Sequence, residues 1–129
     1  MKIIVEINLN DMSCKILKLS NLTKKDIITV ICNYFNIPIS ELRKRPKERL
    51  IQKEDYVLCR KFISYFLYNK LSLTYYEIGR FLAYSITNQS NSIVGKNIND
   101  ITEAVENQDQ QIIRSYNNLN KLLDKLIAS

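Results

Sequence analysis

Two blocks of apolar residues at helical spacing lie on either side of a polar connection in the second half of the chain. Ile78, Phe81 and Leu82 make one face; Val94, Ile98, Ile101 and Val105, spaced four, three and four apart, make another. Each block predicts a helix. Ahead of the first, Thr74-Tyr75-Tyr76-Glu77 has the form of a capping box, in which the Thr74 hydroxyl accepts from the Glu77 amide and the carboxylate reaches back. On the second, Asn91, Ser92, Gly95, Lys96 and Asn99 fall outward. A brace helix followed by a helix whose first turns offer donors and acceptors is the pattern of a helix-turn-helix. It is also the pattern of any two packed helices with a solvated face.

Earlier in the chain, Ile3, Val5, Ile7 and Leu9 share one face at the period of a half-buried strand. Asn10-Asp11-Met12-Ser13 reads as a turn, and Lys15-Ile16-Leu17-Lys18-Leu19 returns as a second strand. A lone hairpin is marginal in water, so it is expected to pack on the helices or on a second copy, giving a homodimer through the hairpin. A helix is predicted from Lys24 to Phe35, capped by Thr23, burying Ile27, Ile28, Ile31, Tyr34 and Phe35, and stopped by Asn36-Ile37-Pro38. Ser40-Glu41-Leu42 begins a short second helix, and Pro46 keeps the centre of the following stretch non-helical. A long helix is predicted from Gln52 to Asn69, with Leu58, Phe62, Tyr65 and Phe66 inward. Asn107-Gln108-Asp109 breaks the chain before a last helix, Gln110 to Ile127, that presents Ile112, Tyr116, Leu119, Leu123 and Leu126 to the core. The expected architecture is mainly α: residues 1–22 form an N-terminal β-hairpin extension and 23–129 a bundle of five to six helices.

Composition narrows the chemistry. With 129 residues the chain makes one domain, and two Gly and two Pro are too few for the tight turns of an all-β barrel. No apolar run approaches the roughly twenty residues of a membrane span, and Met1 to Leu9 lacks the apolar block of a signal peptide. A cytoplasmic location is expected. Cys14, Cys32 and Cys59 are odd in number and widely spaced, as packed thiols rather than a disulfide frame. Histidine is absent, which removes the usual zinc ligand and the usual base for a Ser or Cys nucleophile. There is no glycine-rich phosphate cradle. Neither an enzyme, a cofactor, a metal nor a small-molecule substrate is expected. The net charge of +6 favours a polyanionic partner, and five of the cations, Arg43, Lys44, Arg45, Lys47 and Arg49, crowd into seven residues.

The series Ile31-Cys32-Asn33-Tyr34-Phe35-Asn36-Ile37, Ile39-Ser40-Glu41-Leu42, the basic stretch, Cys59-Arg60-Lys61-Phe62-Ile63-Ser64-Tyr65-Phe66-Leu67, Thr74 to Leu82 and Asn91-Ser92-Ile93-Val94 resembles a known family. It looks like the C-terminal DNA-binding domain of the bacterial replication initiator DnaA, a Trp-repressor-like helix-turn-helix bundle. The resemblance runs from about Lys24 to Ile127 by element order and spacing, and is most specific from Tyr34 to Gly79. It implies that Arg43 or Arg45 enters a minor groove, that Arg60 and Lys61 face the DNA backbone, and that Thr74 opens the brace helix. The family's Gly-Gly-Arg-Asp-His-Ser/Thr-Thr-Val reading box is not reproduced; Gln89-Ser90-Asn91-Ser92-Ile93-Val94 stands there, without its Arg and Asp.

The replacement can still read DNA. Asn and Gln pair bidentately with adenine, and Ser serves several base edges. Amides near Ser90 to Ser92 suit a phosphate, with Lys96 on the same side of the helix. Each of these residues also has a duller role as a cap or surface polar group. The first expectation is thus a double-stranded DNA-binding protein, placing a helix of about 90–106 in the major groove and the 43–49 stretch on the minor groove or backbone. No nucleotide-hydrolysing module accompanies it in this chain, so the resemblance implies a transcription regulator or an accessory DNA replication protein of a phage or mobile element. The second is a protein-interaction or dimerisation module that keeps the fold and uses the hairpin and the Tyr75, Tyr76, Tyr84 surface.

Overall fold

Where the flanking residues are described, the helices start and stop for reasons legible in them. The computed structural model describes residues 22–43, 53–83 and 91–128. The hairpin expected in residues 1–22 lies outside them, except Leu22, which is buried. Helix α1 (Lys24–Tyr34) opens on a capping box. Thr23 Oγ1 accepts from the Asp26 amide at 3.1 Å, and the Asp26 carboxylate accepts from the Thr23 amide at 3.0 Å. It closes where Asn36 turns left-handed, φ 57°, which lets the Ile37 amide donate to Cys32 O at 2.9 Å before Pro38. The short helix expected from Ser40 is a single 3-10 turn, Ile39–Glu41. Pro38 fixes its start and brings no amide, and the turn is closed by the Leu42 amide on Ile39 O at 3.0 Å.

Helix α2 (Lys53–Leu71) is the axis of the molecule. Tyr56, Cys59, Phe62, Ile63, Phe66 and Leu67 are buried along it, and α1, α3 (Tyr75–Phe81) and α4 (Asn91–Glu106) all pack on it. Helix α5 (Gln110–Ala128) closes the bundle against α1 and α4. A column of stacked rings runs through it: Phe35 to Phe62 at 5.9 Å, Phe62 to Phe66 at 6.1 Å, Phe66 to Tyr116 at 6.0 Å. The column therefore ties α1 to α5 through α2. The Tyr34 hydroxyl adds a polar tie, accepting from Asn118 Nδ2 at 3.1 Å and donating to Ser115 Oγ at 3.5 Å. Among the described residues the architecture is five α-helices in a bundle, in agreement with a mainly α fold.

Two expected positions fall elsewhere. Leu126 is 42% exposed because it borders an open groove with Val30, Tyr34 and Leu122 instead of filling the core. Gly95 is half-buried, not outward: a Cβ there would stand 3.1 Å from the Tyr75 ring, so α4 crosses α3 closely at this point. Ser72 (φ 56°) and Gln108 (φ 57°) end α2 and α4 in the same left-handed region as Asn36, work usually given to glycine. Cys32 and Cys59 are free buried thiols; the hydrogen bond with Cys32 and then burial push the Cys59 thiol well up, so it stays protonated. Cys14 lies outside the described residues. No helix among the described residues is long and apolar enough to cross a membrane.

Helix α3 has the capping box predicted for it. Thr74 Oγ1 accepts from the Glu77 amide at 3.1 Å and Glu77 Oε1 accepts from the Thr74 amide at 2.9 Å. The hydrogen bond from the Thr74 backbone, then that of its side chain, hold the Glu77 carboxyl below its ordinary value. A depressed folded-state pKa contributes stability above the unfolded pKa and loses it as pH falls through the folded one. Wild type is therefore expected to unfold at a higher temperature than Glu77→Gln at pH 7. That advantage should fade below about pH 4. Thermal unfolding by circular dichroism at pH 7, 5 and 3 reads it, and an undiminished advantage at pH 3 would contradict the assignment.

Candidate nucleic-acid interface

The site has to be built from how the 3-10 turn, α3 and α4 are held on α2. Arg60 does the holding. It is only 5% exposed; Nη1 donates to Leu42 O at 2.7 Å and Nη2 donates to Leu82 O at 2.6 Å. Leu42 and Leu82 are the C-caps of the 3-10 turn and of α3. A helix C-terminus leaves carbonyls without intrahelical partners and carries partial negative charge, so one guanidinium satisfies two such ends at once. Tyr56 supports it from one turn earlier on α2: its hydroxyl donates to Leu42 O and its ring lies 5.6 Å from the guanidinium carbon. Arg60 was expected to face the DNA backbone. It is a buried fastener instead, because its donors are engaged by main-chain acceptors inside the protein.

Beside it, Arg43 is exposed and its Nε donates to Ala83 O at 2.7 Å. The chain that leaves Arg43 and the chain that leaves Ala83 thus depart from adjacent points. Lys44, Arg45, Lys47 and Arg49, which follow the first, and Gln89 and Ser90, which follow the second, lie outside the described residues, as does Tyr84.

Helix α4 is amphipathic as predicted. Val94, Ile98 and Ile101 are buried and Val105 packs on the same core, while Asn91, Ser92, Lys96 and Asn99 are exposed. Its first turn carries no acidic residue. Ile93 also stands 46% exposed on this surface. Thr74 is exposed and its oxygen serves the α3 cap. Tyr75, named for a partner surface, is half-buried between Gly95 and Tyr68, whose ring centre is 5.4 Å away; Tyr76 is 56% exposed.

Lys61, next to Arg60 on α2, reaches α4. Its Nζ lies 2.8 Å from Asp100 Oδ2, and Lys96 Nζ lies 3.0 Å from the same oxygen. Burial raises the Asp100 pKa, but hydrogen bonds from the two lysines outweigh it and leave the carboxyl below its ordinary value. The structure therefore gathers Lys61, Lys96 and the exposed first turns of α4, sets Arg43 beside the end of α3, and takes Arg60 out. Asp100 was missed by sequence reasoning. The four-residue Lys96–Asp100 spacing was a visible signal for half of its contacts; the reach of Lys61 across two helices was not.

Compared with family models, with curated proteins and with solved structures, the chain gives no match. The roles of Arg60 and Lys61 can be separated by stability alone. Arg60→Met should cost on the order of 3 kcal/mol, since two buried carbonyls lose a charged donor. Lys61→Met, which breaks only a partly exposed ion pair, should stay within about 1 kcal/mol. Urea unfolding checks both, and equal costs would contradict the fastening role.

Proposed function

We propose that this chain is a double-stranded DNA-binding protein that lays α4 in the major groove and turns the 43–49 stretch toward the adjacent minor groove or backbone. The observation that carries the reading is the Arg43 Nε bond to Ala83 O, which sets the first residue of the basic stretch beside the end of α3. Three further features support it. The first turn of α4 exposes Asn91 and Ser92 and carries no acidic residue, and Lys96 follows one turn later. Lys61 adds a cation from α2 to the same surface. The net charge of +6 suits a polyanion, and neutralised phosphates release counterions on binding.

In this reading Asn91, with Gln89, Ser90 and Ser92, meets base edges, while Arg43, Arg45 and the flanking cations meet the minor groove and phosphates. The Trp-repressor-like arrangement and the likeness to the DnaA C-terminal domain belong to the proposal, as does a role as regulator or accessory replication protein of a phage or mobile element. A second reading, a protein-interaction or dimerisation module, draws on the groove between α1 and α5, where Leu122 and Leu126 are 38% and 42% exposed. It requires a stable dimer or partner complex and no duplex binding at low salt.

Fluorescence anisotropy with random and selected duplexes tests the first reading. Affinity should fall steeply with salt, and Arg43→Ala with Arg45→Ala should weaken every duplex and reduce the slope of log K against log salt by about 2. Asn91→Ala should instead relax preference at one base pair by about 1–3 kcal/mol. Salt-independent affinity, or no binding at all, would end the proposal.

A further inference from the structure

Two ammonium groups converging on one carboxylate oxygen is also the way two lysines grip a phosphate oxygen. Lys61 and Lys96 do so here from different helices, at 2.8 and 3.0 Å. The exposures are uneven: 72% for the Lys96 side chain, 29% for that of Asp100, 26% for that of Lys61. Lys96 thus stands furthest into solvent, one turn from the exposed Ser92, with Asp100 and Lys61 set further back. The trio carries one net positive charge where its lysines alone would carry two.

We infer that Lys61 and Lys96 form a seat for one backbone phosphate, and that Asp100 is its built-in competitor. Without DNA, Asp100 holds both ammonium groups together and aimed at one point. With DNA, the phosphate takes over that point and the nearby carboxylate opposes it. Asp100 is in this sense a positioning residue that limits affinity: it pre-aligns the lysines but keeps sequence-independent binding weak. Weak general binding matters to a reader of sequence, since specificity is measured against competing random sites. The inference rests on the DNA-binding reading above and deepens it.

An inter-helix ion pair with no further role would behave differently, and the two are separable because exposed ion pairs contribute little to folding. The experiment measures binding of wild type, Asp100→Asn, Asp124→Asn and the double variant Lys61→Ala/Lys96→Ala to a random-sequence duplex across a sodium chloride series. Asp124 is the control: it is 69% exposed on α5 and faces Lys70 at 3.9 Å, away from the lysine pair. Asp100→Asn should bind about fivefold more tightly, the size of one unit-charge repulsion over a few ångströms in water. Its slope of log K against log salt should steepen, by at most about 0.9, because the net charge of the seat rises from one to two. The double lysine variant should lose affinity and slope, and Asp124→Asn should move neither. Equal gains from Asp100→Asn and Asp124→Asn would overturn the inference, as would an unchanged Asp100→Asn, while leaving the DNA-binding reading intact. Absence of wild-type duplex binding would remove both.

Discussion

A cation inside a protein is tolerated only where fixed dipoles replace its water. The Arg60 guanidinium meets that condition by sitting on the carbonyl ends of two short helical segments, Leu42 O and Leu82 O. Each segment is capped by its own amides but leaves its last carbonyl, Leu42 O or Leu82 O, to side chains of α2. The 3-10 turn is three residues long and α3 seven, so both depend on a partner from α2 for their last acceptors. The cost of burying the charge and the cost of burying loose carbonyls offset each other. Everything that approaches the candidate interface, the turn before Arg43 and the brace helix before α4, is positioned by that arrangement.

The contact of α4 with the brace depends on a different device. With only hydrogen at Gly95, the edge of the Tyr75 ring can rest against the helix backbone, where a Cβ would be crowded at 3.1 Å. The buried row Val94, Ile98 and Ile101 then sets the rotation of α4, leaving Asn91, Ser92 and Lys96 outside. Packing and solvent exposure are thus coupled: the same rotation that fills the core presents the polar turns. The ion pair from Lys61 to Asp100 ties α4 separately to α2.

Most of the fold was legible because its signals are local. Capping boxes at Thr23 and Thr74, the stop at Asn36-Ile37-Pro38 and the apolar row of α4 depend on neighbours three or four residues apart and appear where the pattern puts them; on α2, Phe62 and Phe66 are buried as expected, but Leu58 and Tyr65 are only partly so. What escaped depends on distant partners. The alternation of α5 marked Leu126 as inward, yet whether a leucine is covered depends on what faces it, and α1 leaves a groove there. Arg60 is the sharpest case. In a basic chain an arginine beside a lysine reads as surface charge, and nothing within several residues reveals that two helix ends, at positions 42 and 82, will converge on it. For the candidate site, residue types and helix face were readable, whereas the division of labour between Arg60 and its neighbour Lys61 came only from three-dimensional distances.

The bond between Arg43 Nε and Ala83 O has a thermodynamic corollary. Two stretches of chain that are remote in sequence, one after residue 43 and one after residue 83, begin from a common root. A long rod-shaped ligand gripped by both would not have to bring their origins together, since folding has already done so. Part of the orientational entropy of aligning two such contacts would then be settled during folding instead of at the moment of capture.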